Sequence, residues 1–253
     1  MQTLPCVLFA VRAVLLFSCL SFAEAASGAV SVLFVGNSLT QVNDLPGVFQ
    51  HFAAGSSLHL AVNVRSITPG GATLFDHWKH EQALALLRTH RPNFLILQGQ
   101  STEPLSASQN FNYYARLFKT EADQVGTKTV LFSTWARPAT DSYYKDPSSG
   151  GSPVEMQIRL NAAYLALATN IGAVLAPIGT AFQHAKEVAP KIELLDGSQH
   201  PSPAGTYLAA AVLFRTLFSA PALGSTYFDG LPEANAHTLQ RIADQIPINA
   251  LKQ

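Results

Sequence analysis

The sequence predicts a doubly wound α/β sandwich. Two observations lead there. Short, continuous apolar runs alternate along the chain with longer segments of helical periodicity, and the composition is that of one packed domain. Continuous apolar runs of strand length suit a parallel sheet covered on both faces, and strands alternating with helices imply the parallel, layered arrangement. The 253 residues are enough for one domain with a full core. Hydrophobic residues make up 48% and charged residues 13%, which excludes a disordered chain.

Five segments read as strands: 32–35 (Val-Leu-Phe-Val), 60–64 (Leu-Ala-Val-Asn-Val), 94–97 (Phe-Leu-Ile-Leu), 130–132 (Val-Leu-Phe) and 173–175 (Ala-Val-Leu). Helical patterns cover 74–89 and 107–125. A third helix opens at Ser152-Pro153-Val154-Glu155, where Ser152 caps, Pro153 suits the first turn and Glu155 completes a capping box. A fourth opens at Ser202-Pro203 and runs through Leu208, Val212 and Leu213 to Phe218; a fifth spans 234–246 in the tail. The segment 137–151, rich in Pro and Gly and carrying Tyr143 and Tyr144, reads as a long loop. It either walls a substrate cleft or is a plain surface loop. No internal repeat and no second domain is visible, so 26–253 reads as a single domain.

The N-terminus reads as a signal peptide over 1–25. Arg12 precedes an apolar run from Ala13 to Phe22, and Ala23-Glu24-Ala25 supplies the small-x-small pattern that signal peptidase cuts after. The run is too short to span a bilayer comfortably, and no later stretch is apolar enough for a stable membrane span. The expected localisation is therefore secreted or periplasmic. Leu16-Phe17-Ser18-Cys19 offers lipidation at Cys19 as an alternative. Both cysteines, Cys6 and Cys19, lie within the leader, so cleavage leaves no thiol for a disulfide, a nucleophile or a metal site. Lys+Arg and Asp+Glu both total 16; this balance provides no basic field for nucleic acid.

Four segments carry candidate chemistry. The strand at 32–35 runs into Gly36-Asn37-Ser38-Leu39-Thr40, which brings the Ser38 hydroxyl to the carboxyl edge of the sheet, where reactive groups gather in such folds. Gly36 permits a tight turn, and the Ser38 amide is placed to face a developing oxyanion. Late in the chain, Asp196-Gly197-Ser198-Gln199-His200-Pro201-Ser202 precedes the fourth helix. A serine hydroxyl needs a base to take its proton, which histidine supplies near neutral pH; a nearby carboxylate fixes the tautomer and stabilises the imidazolium. In the middle, Thr68-Pro69-Gly70-Gly71-Ala72-Thr73 follows the second strand and offers the amide of Gly71 or Gly70 to an oxyanion. Gln98-Gly99-Gln100-Ser101 follows the third strand and offers amide or hydroxyl side chains. Each segment alone also reads as an ordinary turn.

Together, in this order, the four segments resemble the SGNH, or GDSL-like, hydrolase superfamily, in the manner of an exported bacterial member, over most of the chain from Val32 to about Phe218. The resemblance implies a flavodoxin-like three-layer α/β/α sandwich with a mainly parallel five-stranded sheet. It implies Ser38 as nucleophile with His200 and Asp196 as its triad partners, and an oxyanion hole from the Ser38 amide, the Gly71 amide and a third-block side chain. No cofactor is needed, and the expected partner is a small-molecule or glycan ester.

Three departures from the family pattern stand out. Asn37 replaces the Asp of Gly-Asp-Ser-Leu. The third block lacks the family's Asn, leaving Gln100 or Ser101 to stand in, with Gln98 as a further candidate. Asp196 lies four residues before His200, where the family places it three before. Two readings follow: an exported serine esterase acting on an acetylated glycan, a lipid ester or a small ester, or a catalytically impaired SGNH-like module that binds a glycan or surface partner. A phosphate-binding reading of 36–40 lacks a Gly-rich pattern and a Lys. His77 and His80, beside Asp76, have i, i+3 metal-ligand spacing, but no further ligands accompany them, so they are expected on a solvated helix face. No metal site is expected.

Overall fold

The computed structural model describes residues 28–248; the expected leader at 1–25, including Cys19, lies outside them. The described elements follow one another as β1 (Val30–Val35), α1 (Ser38–Gln41), α2 (Leu45–Gly55), β2 (Val62–Ile67), α3 (Leu74–His80), α4 (Gln82–His90), β3 (Phe94–Leu97), α5 (Glu103–Ser106), α6 (Ser108–Gln124), β4 (Lys128–Phe132), α7 (Pro153–Ile171), β5 (Val174–Ala176), α8 (Ile178–Val188), α9 (Pro203–Phe218) and α10 (Glu233–Gln245). The five strands form one sheet in the order β2-β1-β3-β4-β5, and every pairing is parallel.

The alternation of side chains across β1, β3 and β4 divides the interior in two. Val32, Phe34, Phe94, Ile96, Val130 and Phe132 face α2, α8, α9 and α10. Leu33, Val35, Leu95, Leu97 and Leu131 face α3, α4, α6 and α7. Strands that are apolar on both faces are thus explained by helices on both faces, and the three-layer α/β/α sandwich follows.

The strand order reverses between β1 and β3, and Ser38 leaves the sheet at that switch point, beyond the carboxyl ends of the strands. Several element boundaries differ from the sequence expectation. The second strand runs Val62–Ile67, because it is the sheet's exposed edge and continues through polar Arg65 and Ser66. The helix expected over 74–89 is two helices, broken where Glu81 turns left-handed at φ 57°. Ser152 caps α7 by accepting from the Glu155 amide, but the Glu155 carboxylate pairs with Arg159 instead of closing a box. The reciprocal capping box belongs to Thr73 and Asp76 at the start of α3. The helices α2 and α8 go beyond the sequence expectation. The segment 137–151 is irregular apart from two short 3₁₀ turns.

Candidate active site

The nucleophile candidate is presented by a turn that only glycine can open. A Cβ on Gly36 would lie 2.6 Å from Gln98 Oε1 and 2.9 Å from Thr40 Oγ1, closer than real side chains approach. Asn37 then caps α1, its Oδ1 accepting from the Leu39 amide at 3.1 Å. The same buried side chain reaches two other blocks. Its Nδ2 donates to the Ala72 carbonyl at 2.9 Å, and its Oδ1 also accepts from Gln98 Nε2 at 3.0 Å. Asn37 therefore fastens the first, second and third blocks together, and it does so partly as a donor, which an aspartate at this position cannot be.

Gln98 is spent in this network. Its Oε1 accepts from the Asn37 amide and from Thr40 Oγ1, both at 2.9 Å, while its Nε2 serves Asn37 Oδ1 and the Gly99 carbonyl. Both amide hydrogens are committed, so Gln98 holds the turn and has none left for an oxyanion.

His77 departs from its expected place. It is buried at 3% exposure, and its Nε2 donates to the Gly36 carbonyl at 2.7 Å. A carbonyl can only accept, so Nε2 carries the hydrogen. Burial pushes the imidazole below the usual histidine range, opposed by the Gly36 bond and by Asp76. His80 does lie exposed. Among the described residues no group of three or more His, Cys, Asp or Glu is placed to hold a metal ion.

The second and third blocks flank this turn. Gly71 is exposed at φ +71°, and its N–H meets no acceptor among the described residues; nor does that of Ser38, the first amide of α1. In the third block, Glu103 is 3% exposed and accepts from the Gln100 amide at 2.9 Å. Burial raises its carboxyl above the ordinary range, while the Gln100 and Leu74 amides act the other way. The Gln100 side-chain oxygen Oε1 accepts from Thr102 N, Thr102 Oγ1 and Glu103 N at 2.8, 2.9 and 3.2 Å, which leaves Nε2 facing Ser101 Oγ at 3.3 Å. Ser101 is buried, and its Oγ also accepts from Arg137 Nη2 at 2.8 Å. Both neighbours are donors, so the Ser101 hydroxyl hydrogen is turned away from them. Arg137 is held in turn by Asp141 at 3.2 Å and lies 5.5 Å over the Tyr143 ring, and Tyr144 donates to its carbonyl at 2.6 Å. The start of the 137–151 loop is thus folded back onto the third block.

The late segment closes the arrangement. His200 Nε2 lies 3.0 Å from Ser38 Oγ across 162 positions of sequence. The loop bearing it is a hairpin closed by an antiparallel bridge between Leu195 and Pro201 and by the Asp196 N–H donating to the His200 carbonyl at 3.1 Å. Trp135 supports it from the end of β4, donating through Nε1 to the Gln199 carbonyl at 3.0 Å. Asn43 ties it to the first block, its Nδ2 bonding the Pro201 carbonyl at 2.9 Å. Asp196 and His200 share this hairpin, but among the described residues their side chains make no direct hydrogen bond. Ser198 stands between them, its Oγ 2.6 Å from Asp196 Oδ1 and 3.0 Å from His200 Nδ1. Hydrogen bonds from Ser198 are the main cause that holds the Asp196 carboxyl below the ordinary range.

The structure thus brings Ser38 and His200 into contact, connects Asp196 to them through Ser198, and sets Gly71, Gln100 and Ser101 on the flanking blocks. Sequence reasoning passed over Arg137 and Ser198 and expected His77 on a solvated face. His77 carried a signal, since it lies three residues after buried Leu74 on one helix face. Ser198 carried only its place inside the Asp196–His200 segment, and Arg137 carried none. The two largest cavities described, of about 550 and 480 Å³, contain neither Ser38 nor His200. The smaller of the two borders the site at Gly71 and is lined also by Asp76, His80 and Gln82.

No protein-family profile matches the sequence, and neither does any curated protein. Solved structures do. A protein from Slackia heliotrinireducens described as a candidate SGNH hydrolase is 29% identical, with a TM-score of 0.62 over 75% of this chain and 99% of its own. A DUF4886 family protein from Bacteroides uniformis is 16% identical, with a TM-score of 0.69 over 85% of this chain and 93% of its own. A catalytic mutant of Axe2, an acetylxylan esterase from Geobacillus stearothermophilus, is 14% identical, with a TM-score of 0.58 over 74% and 94%; at that identity the likeness is one of fold.

Proposed function

We propose that this chain, whose fold and site segments are similar to those of SGNH-like hydrolases, is an exported serine esterase working through an acyl-enzyme. The observation that carries this reading is the 3.0 Å approach of His200 Nε2 to Ser38 Oγ at the carboxyl edge of the sheet. Ser38 Oγ attacks the ester carbonyl carbon while its proton passes to His200 Nε2. The oxyanion is held by the Ser38 and Gly71 amides and by a third-block donor. Collapse breaks the bond to the alcohol oxygen, which takes the proton from His200. Water then attacks the acyl-enzyme with His200 again as base, releasing the acid and restoring Ser38. Asp196 orients the base and stabilises its charged form.

For the third-block donor, the hydrogen-bond pattern favours Ser101 over Gln100. The Gln100 side-chain oxygen Oε1 is filled and Nε2 is directed at Ser101, whereas the Ser101 hydroxyl, with Arg137 behind it, keeps its hydrogen for a further acceptor. The substrate of this reading is an ester such as an acetylated glycan, a lipid ester or a small ester. No helix among the described residues is long and apolar enough to cross a membrane.

A fluorophosphonate probe tests the reaction class. The folded protein is expected to take the label at Ser38 and the Ser38→Ala variant to take none; an unlabelled, folded parent protein would replace the esterase with a binding module. Hydrolysis of p-nitrophenyl acetate against longer acyl esters tests the substrate class. Export is checked by N-terminal sequencing of the secreted protein, expected to begin at Ala26; lipid on Cys19 would establish the anchored alternative.

A further inference from the structure

We propose that Ser198 is a positioning residue of this site, whose hydroxyl links the Asp196 carboxylate to His200 and thereby fixes which imidazole nitrogen receives the Ser38 proton. This rests on the esterase reading above. A serine hydroxyl has one hydrogen to give and two lone pairs to offer. Three groups surround Ser198 Oγ: Asp196 Oδ1 at 2.6 Å, His200 Nδ1 at 3.0 Å and the His200 backbone N at 3.1 Å. An ionised carboxylate only accepts, so it takes the hydrogen. A backbone N–H only donates, so it takes one lone pair. The lone pair that remains faces Nδ1, and Nδ1 must therefore carry a hydrogen. In the neutral ring Nε2 is then bare, and it is Nε2 that meets Ser38 Oγ at 3.0 Å.

The reverse tautomer has nowhere to sit. A bare Nδ1 would need the hydroxyl hydrogen, which would leave the Ser198 lone pairs against the Asp196 carboxylate at 2.6 Å. The hairpin builds this chain by holding Asp196 and His200 on opposite arms, joined through their backbones at 3.1 Å. Ser198 sits at the tip, where its own amide also donates to Asp196 Oδ1 at 2.9 Å. Gly197, at φ +92°, makes the turn that swings the hydroxyl inward. The extra residue between Asp196 and His200 is thus filled by a hydroxyl that does what direct contact does at the shorter family spacing.

The test compares Ser198→Ala and Ser198→Thr with the parent protein on p-nitrophenyl acetate, alongside ¹⁵N spectra of the His200 ring. Ser198 is exposed, so neither change disturbs the core. Ser198→Ala is expected to lower kcat by about 10- to 100-fold, the range seen when the partner orienting a metal-bound imidazole is removed, with KM little changed. Ser198→Thr should recover most of that loss. Adding Asp196→Ala to Ser198→Ala should cost little further, since the hydrogen-bonded link from Asp196 to the ring runs through the hydroxyl. In the spectra, the neutral His200 ring of the parent should carry its hydrogen on Nδ1 alone, and Ser198→Ala should populate the other tautomer. Unchanged kcat in Ser198→Ala, or a parent ring protonated at Nε2, overturns the proposal. If the parent protein itself is inactive and takes no fluorophosphonate, the esterase reading fails, and the ring spectra still decide the tautomer.

Discussion

His77 Nε2 donates to the Gly36 carbonyl at 2.7 Å, so a helix following the second block supports the turn that presents Ser38. His77→Ala would leave that carbonyl buried without its donor, at a cost of about 1–3 kcal/mol before any cavity term. A lower melting temperature and a lower kcat are expected together. The burial of His77 also makes stability depend on pH. Burial depresses the folded-state value of His77, so the unfolded chain takes the proton first; this contribution is whole above about pH 6.5 and is lost as the pH falls below it. Asp76 and His80 are the charged groups beside it, acting in opposite senses. The parent protein should lose more melting temperature between pH 7 and pH 5 than His77→Gln does; equal losses would show that His77 carries none of the dependence.

Asn37→Asp restores the residue found in the family's Gly-Asp-Ser-Leu, and it should weaken this protein. The new carboxylate oxygen would face the Ala72 carbonyl at the 2.9 Å now spanned by an N–H donor, in a site only 2% exposed. Two acceptors would then meet where water cannot enter, at a cost of at least about 1 kcal/mol. That corresponds to a fall of roughly 2–4 °C or more in melting temperature for a domain of this size. An unchanged melting temperature at pH 7 would mean the donor is not what Asn37 contributes.

In the third block, Ser101→Ala is expected to lower kcat by about 10²–10³ with KM little affected, because an oxyanion donor acts only as charge develops. Gln100→Ala should cost less, since its amide acts on Ser101 and on the start of α5. Steady-state kinetics on both variants decide it; the opposite ranking would transfer the donor role to Gln100.

His200 should matter more than Asp196. His200→Ala removes the base in contact with Ser38 and should cost on the order of 10⁴ or more in kcat/KM. Asp196 is exposed and its hydrogen-bonded link to the imidazole runs through a hydroxyl, so its field on the ring is screened by solvent. Asp196→Ala should retain at least about ten times the activity of His200→Ala. Equal losses in two folded variants would make Asp196 a full triad member despite its spacing.

The layered fold was legible because apolar runs such as 94–97 and 130–132 are covered on both faces and carry no competing pattern. Ser38 and His200 were legible because each sits in a short segment of chemically specific residues next to an element boundary. Other features were hidden for physical reasons. The edge strand β2 is half polar, so its limits could not be read from hydrophobicity. The break at Glu81 is a backbone event that composition does not mark. The role of Asn37 depends on Ala72 and Gln98, 35 and 61 residues away, and the place of Arg137 beside Ser101 depends on β3 and β4 being neighbours. Such partnerships exist only once the sheet has formed.

Trp135 gives the chain a native optical reporter. Its indole stacks on Phe182 at 4.2 Å between ring centres and 4° between planes, while its N–H bonds the carbonyl of the residue before His200. The sequence has two tryptophans, and the other, Trp78, packs against Phe118 on the helices of the opposite layer. With Trp78→Phe, all indole emission comes from a single fluorophore bonded to the residue before His200. Its polarity and quenching then follow the His200 hairpin directly, so that the acylation and deacylation of the proposed mechanism become steps to follow in stopped-flow fluorescence without any added dye.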